Sequence, residues 1–540
     1  MTTISDFFGS EPSTSVVLGA GTALFLVCCY VYDLFYGTNK KKFWRTVPGR
    51  VPFIGHMHLL GLDLGKILPK LYEWADKYGQ EDGGYEFHVH LGRVPVVCSE
   101  DRFLELSKYR PFKVRRDPHF SESFRSIGAE GLVTAEGHCW GNQRRIIAPT
   151  MNKKNVEDYL RNMKMIATRL IDNWDRRTED GSSVIINDGV FAMMADILSI
   201  AGYGMDLDFI NKSDSVLGQD VLHLLTASVF RLMAPFPYWR IPLVGQYLDG
   251  AGFRKDRIMK LIGSYVDEYT GNQESLDETQ RRTFLGKLFE SMKDTKSKIT
   301  RELMVGNLMT MFMAGTDTNT QAILFCIWKL AADETGLQQE LFDEVRDFDV
   351  ASCTHEDLTT RLPKLKSFMH EVHRYYSGFP VQILEAIDEI VLGGKTIPAY
   401  TPFLILMRYP SINKVNPSKM VPIGPKGEQP SEFCPRRWLV TTKDGALSAM
   451  TPNTTNNCSF MAFGVGARAC PGRIYSEAMT FLTIISLLQR FQISLEAGHE
   501  PIFPVFMHID TVNRDIKLQL KKRSETYVPP SFTGIGPENP

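Results

Sequence analysis

The stretch Phe463–Gly472, FGVGARACPG, sets one thiol among glycines, with an arginine two residues before it and a Pro-Gly pair after it. A cysteine sulfur is a nucleophile, a redox group or a metal ligand according to its surroundings. A nucleophile wants a histidine base, and this loop has none. A helix is expected from Pro471 to Phe491, with proline at its first position. The free N–H groups of that first turn and the helix dipole would favour a thiolate. Gly464, Gly466 and Gly472 let backbone approach something flat and bulky, and Arg468 suits an anionic group on that partner. A thiolate on an open, backbone-lined face is what an axial iron ligand requires. The residues alone also leave open a reactive or redox-sensing cysteine.

A second group with chemical potential is Met311–Gln321, MFMAGTDTNTQ. Gly315 leaves space beside its helix, and Thr318 can bond back to the Ala314 carbonyl, loosening the ladder. Asp317 puts a carboxyl next to that hydroxyl, a pairing suited to delivering protons. Trp140 and Arg144 are one helical turn apart, so an indole N–H and a guanidinium can reach one anion. Glu371 and Arg374 stand at i, i+3 spacing and can pair.

These residues need long helices and small sheets to position them. The chain has 540 residues, 43% of them hydrophobic, and a net charge of −1, which gives no electrostatic footprint for nucleic acid. Its nine cysteines are scattered without CxxC spacing, which argues against a disulfide framework or a structural zinc site. Tyr85, Phe87, Val89 and Leu91 alternate with polar residues and predict two strands turning at Gly92-Arg93. From about Val156 to Val350 the periodicity is helical, and Thr300–Asp333 is the longest run. Leu365–Tyr376 reads as helix, Ile390–Thr396 as a hairpin, Asn413–Glu432 as a surface meander and Ile509–Lys522 as strand.

The string Phe463-Gly464-x-Gly466-x-Arg468-x-Cys470-x-Gly472 resembles the haem-binding loop of the cytochrome P-450 haem-thiolate monooxygenases at every fixed position. The resemblance is to the membrane-anchored microsomal type and runs from about Val47 to the end. It implies a mainly α fold with small β-sheets (α+β), forming one large haem domain. Haem b (iron protoporphyrin IX) would be the cofactor and Cys470 the metal ligand, its electron donation promoting O–O cleavage. Ala314, Gly315, Asp317 and Thr318 match the family's Ala-Gly-x-Asp-Thr-Thr motif, whereas Asn319 departs from it. Trp140 and Arg144 resemble the family's propionate-binding helix. Glu371 and Arg374 resemble its Glu-x-x-Arg pair, with Arg437 of FCPRRW completing a buried triad and Arg436 replacing the usual acid.

The apolar run 16–36 has one charge, Asp33, and is followed by Lys40, Lys41, Lys42, Arg45 and Arg50. This is long enough to span a bilayer, with the basic flank and all that follows cytosolic. The expected organisation is a short lumenal segment 1–15, an anchor 16–36, a basic then Pro/Gly-rich linker 37–55 and a haem domain 56–540, in the endoplasmic reticulum membrane. No flavin or nicotinamide domain is visible, so electrons are expected from a separate NADPH–cytochrome P-450 reductase, with cytochrome b5 as a second donor. Arg145 and Arg473 are candidates for its docking face. The implied reaction inserts one oxygen atom into a lipophilic substrate, a sterol, fatty acid or xenobiotic, that reaches the site from the membrane. The apolar stretch Leu222–Pro242 is a candidate access wall. Sterol 14-demethylating members carry a histidine where this chain has Asp317, which disfavours that activity. The rivals are a haem-thiolate isomerase or dehydratase acting on a lipid peroxide, and a haem carrier or sensor.

Overall fold

The Thr300 hydroxyl accepts the N–H of Leu303 and starts a 31-residue helix, Arg301–Ala331. At about 1.5 Å per residue it crosses the whole domain. It is buried nearly all round, as a helix at the centre of a large core must be. The computed structural model describes residues 43–523, apart from 53, 62, 90–91, 213–215, 235, 273–275, 296–298, 377, 416, 418–420, 451, 453–459 and 507–508. The expected anchor 16–36 and its basic flank through Lys42 lie outside the described residues. Among those described, no helix is long and apolar enough to cross a membrane.

In chain order, the helices that frame the site are α1 (Leu64–Tyr78), α2 (Gly137–Ile147), α3 (Lys153–Arg177), α4 (Asn187–Tyr203), α5 (Val216–Met233), α6 (Ala251–Gly271), α7 (Arg301–Ala331), α8 (Pro363–Tyr375) and α9 (Arg473–Arg490). α7 packs against α4, α6, α8 and α9, which bury it within the main apolar core. Six strands form one sheet: β1 (Arg45–Thr46), β2 (Gly84–Val89), β3 (Gly92–Val97), β4 (Val114–Arg116), β5 (Val381–Ala386) and β6 (Pro402–Leu406), in the order β1-β2-β3-β6-β5-β4. A smaller sheet joins Phe491–Leu495, Lys517–Lys522 and Val184–Ile185. The C-terminal stretch read as one strand is two, Asp510–Val512 and Lys517–Lys522.

The sheet corrects one sequence reading and adds a buried polar pair. Val89 pairs with Gly92, so the chain reverses before Gly92 and not at Gly92-Arg93. Glu86 and His88, the polar side of the alternation, are buried, because the segment before α1 folds over that face. Glu86 accepts the N–H groups of Phe43 and Trp44 at 2.6 and 2.9 Å. The His88 N–H donates to His56 Nδ1, so His56 Nε2 carries the hydrogen that reaches the Val47 carbonyl.

Below the core, the Glu371 carboxylate is fully buried and saturated. It accepts from Arg374 Nε and Nη2 at 2.8 and 2.7 Å, Arg437 Nε at 3.1 Å, Trp438 Nε1 at 2.8 Å and the Cys434 N–H at 2.7 Å. Arg374 also donates to the carbonyls of Ser411, Pro430 and Glu432, and Arg437 to those of Pro422, Glu428, Gln429 and Glu432. The meander has no helix or strand among its described residues between Ile412 and Pro435, so these guanidinium bonds hold it in place. Arg436 points outward instead and pairs with Glu340 at 2.6 Å, half-exposed. Replacing Glu371 by Ala strands two buried cations and is expected to lower stability to urea by about 3–5 kcal/mol. Arg436→Ala should lower it by less than about 1 kcal/mol.

His370, on α8, is buried edge-on to Trp438 and Phe460, with ring centroids 6.1 and 5.8 Å away. Burial pushes its pKa down from 6.5 to about 3, helped by the charges of Lys366, His373 and Arg473. Between those values the unfolded chain binds the proton and the folded chain does not. Stability therefore falls on acidification below pH 6.5, by up to about 1.4 kcal/mol per pH unit from this group. Unfolding free energies measured from pH 6.5 to 5 should fall less steeply for His370→Asn than for the unmodified protein.

Candidate active site

The cysteine loop is folded by its own backbone. The Cys470 N–H donates to the Phe463 carbonyl at 2.7 Å, and Gly464 N–H to Met461 at 2.9 Å, around a single turn at Gly466–Arg468. Gly464 and Gly466 have φ of 70° and 66°, which a side chain would oppose. The ring of Phe463 lies between His373, 5.1 Å away, and the guanidinium of Arg473, 5.5 Å away.

α9 begins at Arg473 with Gly472 as its N-cap, so Pro471 is not its first residue as expected. Of the nearby backbone, the N–H of Gly472 favours the charged form of the sulfur. Burial raises the Cys470 thiol above its ordinary pKa, outweighing that N–H and the charges of Arg144, Arg116 and Arg473. Without a cation beside it, desolvation thus outweighs the help from that N–H. A cation at the sulfur would overturn this, since a coordinating thiol is deprotonated. The Cys470 side chain is nonetheless accessible, so a sulfur hemmed in by protein borders an open space.

Positive charge gathers beside it. Arg468 pairs with Glu136, donates to the Ala135 carbonyl at 3.0 Å and lies 4.3 Å over the buried Trp140 ring. Its Nε and Nη1 are buried without partners among the described residues, as are Nε and Nη2 of Arg110. Burial and the neighbouring Arg116 and Arg468 charges push Arg110 down to about 9. Burial, against Glu136 and with Arg116 and Arg144, pushes Arg468 down to about 10. Arg116 and Arg144 are also lowered by burial while the Cys470 charge opposes it. Arg116 donates its own N–H to Glu136 at 3.2 Å. Arg110, Arg116 and Glu136 escaped the sequence reading, although Arg115-Arg116 before Asp117-Pro118 was a visible signal. Arg145 is exposed, whereas Arg473 is engaged with Glu477 at 2.8 Å and so is a poor docking cation.

On α7 the Thr318 hydroxyl donates to the Ala314 carbonyl at 2.7 Å, and Asn319 Nδ2 donates to that of Gly315 at 2.6 Å. Thr316 and Thr320 bond back to Phe312 and Thr316, each at 2.7 Å. Ala314 is exposed between buried Met313 and Thr316, and Asp317 and Thr318 are half-exposed. Gly315 does not face that open side: a Cβ there would meet Leu198 of α4 at 2.8 Å. Its glycine permits helix packing, which corrects the reading that it clears room for a ligand.

This set fits haem. It offers an accessible sulfur for iron, orphaned buried guanidinium groups for two propionates, and an open backbone wall where a Cβ on Gly466 would meet nothing within 4 Å. Comparison with known proteins agrees. The family model described as Cytochrome P-450 matches residues 46–521. Cytochrome P-450 71A14 of Arabidopsis thaliana is 25% identical over 84% of this chain and 87% of its own length. The bifunctional cytochrome P-450/NADPH–P-450 reductase ALT2 of Alternaria alternata is 22% identical over 87% of this chain and 40% of its own length. The crystal structure of the cytochrome P-450DA heme domain superposes with a TM-score of 0.74 over 89% of this chain and 97% of that one, at 20% identity.

Arg468→Gln removes the stacked cation over Trp140 and the ion pair with Glu136. Charge-assisted bonds of this kind are each worth roughly 1.5–3 kcal/mol. Transfer of haem from the loaded variant to an excess of a haem-scavenging apoprotein, followed by absorbance, should be about 10- to 100-fold faster than from the unmodified protein.

Proposed function

The chain belongs to the cytochrome P-450 family and is an oxidoreductase of the monooxygenase class with haem as cofactor, and on that premise we propose that it oxygenates a lipophilic substrate at the endoplasmic reticulum membrane. The substrate class is a sterol, fatty acid or xenobiotic, and one oxygen atom of dioxygen enters it. Electrons come from a separate NADPH-dependent flavoprotein reductase, with cytochrome b5 as a second donor. The fused relative, whose printed name joins a cytochrome P-450 to such a reductase, supports that kind of partner.

Bound haem supplies dioxygen activation; the chain's own residues hold, shield and protonate. Cys470 Sγ would hold the iron. Arg468, Trp140 and Arg144, joined by Arg110 and Arg116, would hold the propionates. Phe463, Gly464 and Gly472 line the sulfur side and Ala314 the open side of α7. Asp317 is the carboxyl placed to bring protons in from solvent, and Thr318 Oγ1, whose hydrogen is parked on the Ala314 carbonyl, is left to accept a hydrogen bond on that side. Gly315 keeps α7 close to α4 and so fixes where that hydroxyl stands.

Exposed Val216, Leu222, Phe230, Phe236, Leu243, Leu248 and Phe253 crowd the region from α5 to the start of α6. An apolar surface of that kind suits contact with a bilayer and supports entry of a lipophilic substrate from it. With the apolar run 16–36, it also supports the single-pass, cytosol-facing placement.

The accessible, desolvated sulfur of Cys470 carries this reading. Purified protein, reduced and treated with carbon monoxide, should show the absorbance band of thiolate-ligated haem, and Cys470→Ser should abolish it. Oxygenated product should then form with NADPH and reductase. Product from a fatty-acid hydroperoxide alone, with none from NADPH and reductase, would favour an isomerase instead.

A further inference from the structure

One hydrogen bond joins the two helices that carry the chemistry. The Ser476 hydroxyl, in the first turn of α9, donates to Asn319 Oδ1 of α7 at 2.5 Å. The orientation of the amide follows from its partners. The Gly315 carbonyl can only accept, so Asn319 Nδ2 must face it, at 2.6 Å, and Oδ1 must face the hydroxyl. Asn319 is 5% exposed, so its amide is spent on these contacts and not on water.

The chain of bonds extends both ways. The Ser476 N–H donates to the Gly472 carbonyl at 2.8 Å, and Gly472 stands two residues beyond Cys470 in the same loop. At the other end, Asn319 follows Thr318 and Gly315 follows Ala314, the two partners of the 2.7 Å bond that parks the threonine hydrogen. The path from sulfur to proton-handling hydroxyl is therefore continuous: Cys470, Gly472, Ser476, Asn319, then the Thr318–Ala314 turn. At this position the family motif carries a threonine, whose hydroxyl can also donate to one partner and accept from another, but through a single oxygen. The amide both accepts across the interface and donates along its own helix, which a strut between helices requires.

We propose that Asn319 and Ser476 are positioning residues that set the Thr318–Ala314 turn relative to the seat of the sulfur. The inference rests on the haem-thiolate reading above. It couples the helix that follows the sulfur to the helix that carries the proton-handling pair.

The test uses the haem-loaded full chain with carbon monoxide as probe. The absorbance band of the reduced adduct reports on the sulfur, and the C–O stretching frequency reports on the α7 side. Ser476→Ala and the near-isosteric Asn319→Leu should keep the thiolate band. Both should shift the C–O stretch in the same sense, and the double variant should shift it no further than the larger single change. A residue that merely stabilised the fold would lower the unfolding midpoint and leave the stretch in place. An unmoved stretch in Ser476→Ala, or a double-variant shift equal to the sum of the singles, overturns the strut while leaving the haem assignment intact. If Asn319→Leu does not hold haem, Ser476→Ala alone decides. Absence of the thiolate band in the unmodified protein would overturn both.

Discussion

A single carboxylate, that of Glu371, fixes the ground on which the site stands. It lies at zero exposure and accepts from two guanidinium groups, an indole and a backbone N–H. A buried charge is tolerable only when fully paired and hydrogen-bonded, and here each partner is bonded on its far side too. Arg374 and Arg437 pass the constraint to the carbonyls of a long segment without regular structure. That segment leads into the loop presenting Cys470. Electrostatics thus does the work that strands or helices do elsewhere in the chain.

Around the sulfur the balance runs the other way. Four guanidinium groups, from Arg110, Arg116, Arg144 and Arg468, sense one another or the sulfur, and Glu136 is the carboxylate placed among them. The cluster is under-neutralised by design of its donor set, and the thiol is pushed toward its neutral form. Both imbalances have one remedy, a partner bringing a cation to the sulfur and anions to the arginines. Iron protoporphyrin carries both on one rigid plane.

Much of this was legible in the residues because it is local. The Cys470 loop, the Glu371–Arg374 spacing and the back-bond from Thr318 to Ala314 are set within a turn or a short loop. The long helix was expected over 300–333 and runs over Arg301–Ala331, because Thr300 is a strong cap and its interior lacks a breaker. What escaped depends on distant segments. Arg116, whose charge acts on the sulfur, stands in β4, which pairs with β5 some 270 residues later. The role of Gly315 turned on which neighbour its helix meets, and periodicity cannot say that. The start of α9 lies two residues later than expected, at Arg473, because Gly472 takes the N-cap. The burial of Glu86 and His88 likewise depends on a distant segment, which alternation cannot reveal.

The orphaned guanidinium groups bear on how the protein is made. A folded chain that holds Arg110, Arg116, Arg144 and Arg468 against the single carboxylate of Glu136 carries self-repulsion there, which weakens compact states. Polypeptide collapse and cofactor capture are therefore thermodynamically linked, each drawing the other forward by mass action. The abundance of intact protein in a cell should consequently track haem supply as closely as it tracks translation.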